Sequence, residues 1–98
     1  SIPFIDQVEN LAIDAVIPGG TKDNLDYYKN QILFEKNFKT HKKLMLSDAQ
    51  TSGGLLISIP QNNSKALINE LNKNSKYESH IISDFIQKTE KSIIVLDE

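Results

Sequence analysis

Residues 48–54 read Asp48-Ala49-Gln50-Thr51-Ser52-Gly53-Gly54, and the apolar run Leu55-Leu56-Ile57-Ser58-Ile59 follows directly. Paired glycines let a backbone turn tightly and approach another group closely. Thr51 and Ser52 add hydroxyls and Gln50 an amide, so the turn carries donors suited to an anion, a phosphate above all. The plain alternative is a strand-entry turn in which Thr51 and Ser52 tie down local backbone. Asp48 holds such a turn through an Asx hydrogen bond or supports a metal site elsewhere.

A second glycine-rich stretch, Pro18-Gly19-Gly20-Thr21-Lys22-Asp23-Asn24, admits two readings as well. Gly19 and Gly20 can end one helix while Asn24 caps the next. Alternatively the loop leads into a helix N-terminus, where anions are favoured, and Thr21, Lys22 and Asn24 reach a phosphate or a neighbouring domain. His41 and His80 lack a His, Cys or carboxylate at metal-ligand spacing, and His41 reads as part of a solvated Lys-rich face. No catalytic triad, P-loop or dinucleotide fingerprint occurs.

These residues must be positioned by a small domain. The chain has 98 residues, 39% hydrophobic, with a net charge of −2, an ordinary globular composition. Its 11 basic residues are all Lys, so the bidentate arginine clamp for phosphate is missing, and the mixed charge disfavours nucleic acid as main partner. No segment has the length and apolarity to cross a membrane. The lack of Cys removes disulfides and thiol nucleophiles and fits a reducing, cytoplasmic setting. The chain opens at Ser1 without Met, which suggests a piece of a longer protein.

Hydrophobic spacing predicts an edge strand at 2–5 and a helix from Asp6, whose stripe is Val8, Leu11, Ala12 and Ala15, ended by Pro18-Gly19-Gly20. A second helix is expected from about residues 22–24, an extended piece at 32–35 and a weak helix at 38–46. A strand at 54–59 is stopped by Pro60. Asn62, Asn63 or Ser64 then caps a helix that points Ala66, Leu67 and Leu71 inward. Residues 72–79 read as a polar loop. Residues 80–87 read as a strand paired as a hairpin with 93–96. The aromatic residues read as core or rim. The fold class is α+β in layers, a mixed sheet packed against helices.

The pair Pro18-Gly19-Gly20-Thr21-x-x-Asn24 and Asp48-Ala49-Gln50-Thr51-Ser52-Gly53-Gly54-Leu55-Leu56 resembles the C-terminal domain of the selenophosphate synthetases, members of the aminoimidazole-ribonucleotide-synthetase-like superfamily. The resemblance covers about residues 2–96. Ala49 replaces a usual Pro, and Ile82-Ser83 replaces a usual Ile-Gly. The resemblance implies an enzyme that makes selenophosphate from selenide, ATP and water, releasing AMP and phosphate, with magnesium. ATP and magnesium would be bound mainly by an N-terminal domain absent from these 98 residues, which would form one partial C-terminal domain. That N-terminal domain would be the partner, and the full enzyme a homodimer. Gly19, Gly20, Thr21, Asn24, Asp48, Gln50, Thr51, Ser52, Gly53 and Gly54 would line the cleft between the domains, with no catalytic or metal-binding residue in this segment. Two other readings stand beside this one: another ATP-dependent synthetase or kinase of the superfamily, and a non-catalytic binding module that keeps the fold.

Overall fold

A computed structural model describes residues 2–97. Two compact units divide them: one comprises residues up to 3 together with 53–86, the other residues 4–52 together with 87 onward. Six elements occur in chain order: α1 (Val8–Ile13), α2 (Gly19–Tyr28), β1 (Ile32–Phe34), α3 (Thr40–Leu46), α4 (Gln61–Asn72) and β2 (Ile93–Val95). No helix among the described residues is long and apolar enough to cross a membrane.

The larger unit holds every element except α4. Its α3 packs on both α1 and α2. The core is Ala12 from α1, Phe38 just before α3 and Met45 within it. Burying a Met or Phe side chain contributes about 1.5–3 kcal/mol, so a handful of residues holds this unit together. Polar links between distant segments add to it. His41 Nε2 lies 3.0 Å from Glu9 Oε1, tying α3 to α1. Lys42 donates to Asp97 Oδ1 at 2.6 Å, and this bond raises the Lys42 pKa above its ordinary value. Lys43 Nζ sits 5.0 Å from the centre of the Phe34 ring, which itself packs 5.3 Å from Phe38. The expected solvated face at His41 is corrected: its ring is mostly covered, and it pairs with a carboxylate 32 residues away in sequence.

β1 and β2 form a two-stranded parallel sheet in which Ile32 faces Ile93 and Phe34 faces Val95. The Glu35 amide extends the ladder to the Val95 carbonyl at 2.9 Å. The Asp97 amide closes onto Glu35 Oε2 at 2.8 Å. The expected hairpin between 80–87 and 93–96 is therefore wrong. Residues 80–86 form no strand, and β2 takes a parallel partner whose Ile32 and Phe34 are half-buried. The mixed sheet shrinks accordingly to these two parallel strands among the described residues.

Helix boundaries also depart from the expectation. Residues 2–5 form no strand. Gln7, not Asp6, is the N-cap of α1 and makes no side-chain cap bond. α1 ends well before the glycines. The Ala15 amide bonds the Ala12 carbonyl, the Val16 amide bonds the Leu11 carbonyl, and Ala15 takes φ 61. This is a Schellman stop with alanine where glycine is favoured. A left-handed alanine costs roughly 1 kcal/mol, so Ala15→Gly raises unfolding free energy by about that much in urea denaturation. No change, or a loss, would contradict this account of the helix end.

The smaller unit contains α4, preceded by its N-cap Pro60. Asn62, Asn63 and Ser64 lie within the first turn instead of capping it, and the half-buried face is Ser64, Leu67 and Ile68, with Ala66 and Leu71 exposed. The loop after α4 is pinned by a reciprocal pair: Asn72 donates to the Ser79 carbonyl at 3.2 Å and accepts from the Ser79 amide at 2.7 Å. Residues 54–59 do not form the expected strand, because no strand among the described residues hydrogen-bonds to them.

Candidate functional site

Inside the larger unit, the Pro18–Asn24 stretch meets residues 47–49, which lead into the second motif. Gly19 and Gly20 do not terminate α1; they open α2, with extended Pro18 as N-cap. Proline before a helix presets the entering backbone, and the following glycines keep the first turn slim. A Cβ at Gly20 would stand 3.4 Å from the Ala49 Cβ, in van der Waals contact. Gly19 has nothing within 4 Å of a Cβ position.

Thr21 comes next and is 1% exposed. Its amide bonds the Pro18 carbonyl, and its hydroxyl donates to Asp48 Oδ1 at 2.9 Å. Three residues on, on the same helix face, Asn24 Nδ2 donates to the Ser47 carbonyl at 3.1 Å. Asn24 is thus a mid-helix clamp and not the expected helix cap. Gln50 Nε2 lies 3.5 Å from the other Asp48 oxygen, Oδ2. Asp48 consequently accepts from two neutral donors, one of them 27 residues away. Through these bonds Asp48 links α2 to the segment after α3.

Ser47 supports that segment from the other side. As the C-cap of α3 it sends its amide to the Leu44 carbonyl and its hydroxyl to the Lys43 carbonyl at 2.9 Å. Residues 47–49 are thereby held at both ends, by α3 and by α2. Sequence reasoning missed the Ser47 carbonyl and the Gly20–Ala49 approach. The small side chain of Ala49 was the signal available for the second.

Beyond this clamp, Gln50, Thr51 and Ser52 are exposed. Gly53 and Gly54 fall in the other compact unit. No described glycine takes a left-handed φ, and a Cβ at Gly54 would meet nothing within 4 Å. The chain bends at residues 51 and 52, and Gly53 and Gly54 follow without using the left-handed backbone open to glycine. No cluster of three or more His, Cys, Asp or Glu side chains that could hold a metal ion occurs among the described residues. A magnesium cage needs several oxygen ligands. Asp48, the one carboxylate of this clamp, does not supply such a set.

The chain is 40% identical over 94 residues to a selenide, water dikinase of Aliarcobacter butzleri, a match covering 96% of this chain. It is 35% identical over 94 residues to one from Clostridium botulinum, again covering 96% of this chain. The segment belongs to the selenide, water dikinase family. It spans 27% of the length of those two relatives, in their C-terminal part. The selenide, water dikinase of Myxococcus xanthus is 46% identical over 59 residues, 60% of this chain and 17% of its own length. No protein-family model matches the chain, and no solved structure does.

Proposed function

We propose that these 98 residues are one part of a selenide, water dikinase, an enzyme that makes selenophosphate from selenide, ATP and water and releases AMP and phosphate. In this reading they belong to its C-terminal domain, and they build one wall of a cleft whose opposite wall is the N-terminal domain. ATP, magnesium and the catalytic groups belong to that other domain, and the full enzyme is a cytoplasmic homodimer. The observation that carries the reading is the joining of two separated motifs, through Thr21 and Asp48, beneath an exposed Gln50-Thr51-Ser52 edge. A rigid support under exposed donors is the arrangement that phosphoryl transfer needs, because positioning and charge stabilisation supply most of its catalysis.

The chain's own residues have distinct parts in this scheme. Gly19 and Gly20 let the helix start approach the wall, and Thr21 and Asn24 fix it against residues 47–49. Asp48 orients the turn through its two acceptor bonds. Gln50, Thr51 and Ser52 offer an amide and two hydroxyls to phosphate oxygens, while Gly53 and Gly54 admit close backbone approach.

The test uses the complete protein with selenide and ATP. Thr51→Ala combined with Ser52→Ala is expected to lower selenide-dependent AMP formation at least tenfold while moving the melting temperature little. A hydrogen bond to a charged group is worth about 1.5–3 kcal/mol, which sets that scale. Full activity in the double variant would remove these hydroxyls from the cleft. Selenide-dependent AMP formation by the 98 residues alone would overturn the division of labour.

A further inference from the structure

α3 leads into Ser47 and Asp48, and little in its own sequence holds it in place. It has seven residues, too few for a helix that is stable alone in water. Its N-cap Lys39 makes no side-chain bond, and its first turn has no acidic residue. Lys39 and Lys42 instead put positive charge at the end where the helix dipole favours anions.

The missing acids come from other elements. Glu9 of α1 stands 3.0 Å from His41 Nε2, and Asp97, beyond β2, accepts from Lys42 Nζ at 2.6 Å. The Lys42 pKa is raised above all by that hydrogen bond and further by the charges of Asp97 and Glu9, so both acids act on one cation. Asp97 is itself fixed, because its amide donates to Glu35 Oε2 at 2.8 Å, just after β1. At about 100° per residue, His41 leaves α3 about 40° to one side of buried Met45 and Lys42 about 60° to the other. A flexible Met sets the depth of a helix but not its rotation. The two charged pairs act as stays on either side of it and fix that rotation.

Rotation matters at the far end of α3. Ser47 caps it, and Asp48 and the exposed Gln50-Thr51-Ser52 edge follow. From Lys42 to Ser47 the helix advances about 7–8 Å. We infer that Lys42, anchored by Asp97, is a positioning residue for the Gln50-Thr51-Ser52 edge: the pair sets the rotation of α3, and α3 sets where the edge stands. The two side chains are 29% and 39% exposed, so the pair contributes little to stability. Its contribution is geometric, and a displacement of about 1 Å can slow a reaction about a hundredfold. The catalytic consequence rests on the function proposed above, and the mechanical link does not.

The experiment compares the complete wild-type protein with Lys42→Met, which keeps the apolar stem of the side chain without its charge. Hydrogen exchange at residues 44–48 is expected to rise about fivefold, the scale of a partly exposed ion pair, while exchange in α4 and the melting temperature stay as they are. The kcat of selenide-dependent AMP formation is expected to fall about fivefold with the KM for ATP unchanged, because ATP is held by the other domain. Asp97→Ala should do the same, the double variant should be no worse than either, and Lys42→Arg should restore both readings. Lys73→Met, whose partner Glu70 also lies in α4, is the control and should alter neither. Unchanged exchange at 44–48 overturns the inference. So does faster exchange throughout the larger unit with a lower melting temperature, because Lys42 is then a general prop. A local change with unaltered kcat in an active enzyme overturns the positioning role. If the wild-type protein forms no AMP from ATP and selenide, the proposed function fails, and the exchange result still decides the link.

Discussion

Phe38→Ala in the complete protein lowers its unfolding free energy by about 3 kcal/mol, at the lower end of the cost of truncating a buried aromatic side chain. Phe38 is one of three core side chains of the larger unit, with Ala12 and Met45. Its ring lies beside Phe34 of β1, and the residue stands one position before the N-cap of α3, so the truncation loosens strand and helix together. Few other groups share the burden, which keeps the cavity from closing by small shifts. Urea denaturation measures the loss. Tyr27, 74% exposed, is the control, and Tyr27→Ala is expected to change stability by no more than about 0.5 kcal/mol. A Phe38→Ala cost below 1 kcal/mol would show that this small core does not hold the unit.

The second large effect is an asymmetry in the clamp. Asp48→Ala removes the acceptor of a hydroxyl that is 1% exposed, leaving a buried donor without a partner. The expected cost is about 2 kcal/mol. Thr21→Val keeps the shape of the buried side chain and leaves Asp48, on its exposed side, to water; the expected cost is about 1 kcal/mol. The double variant should cost less than the sum of the two, with a coupling of about 1 kcal/mol, because both single changes remove one bond. Equal single effects with strict additivity would mean that the 2.9 Å bond is not the link described. Loss of the clamp should also lower turnover through the exposed Gln50-Thr51-Ser52 edge, since its support moves. Asp48→Asn retains a side-chain acceptor and should restore part of both stability and rate.

Much of the larger unit was legible in the sequence. The extended piece near 32–34, the helix near 40–46 and the short strand at 93–95 all lie where apolar spacing placed them. Local signals failed where tertiary contacts chose between options. Pro18-Gly19-Gly20 has the composition of a helix stop, yet the stop is made earlier by Ala15, and the glycines open α2, with Gly20 beside Ala49. Asn24 has the chemistry of a cap but spends it on the Ser47 carbonyl, a partner 23 residues away that no window of sequence reveals. The same applies to His41 and Glu9. The hairpin expectation failed because β-branched residues at 80–86 report a taste for pairing without naming the partner.

As candidates, the site residues were legible by type and spacing. Their assembly was not. The spacing of Thr21 and Asp48 along the chain says nothing about a shared hydrogen bond, which requires α2 and α3 to pack first.

The parallel register of β1 and β2 carries a consequence for biosynthesis. Ile32 pairs with Ile93, so the ribosome must add about sixty residues after β1 before its partner exists. At roughly 5–20 residues per second, that interval lasts about 3–12 s. Throughout it, Ile32-Leu33-Phe34 of the nascent chain has an open edge, and a long loop must close at the end. The growing polypeptide is therefore a natural client for chaperones that hold apolar segments, and stalled synthesis before Ile93 should yield a product prone to precipitate.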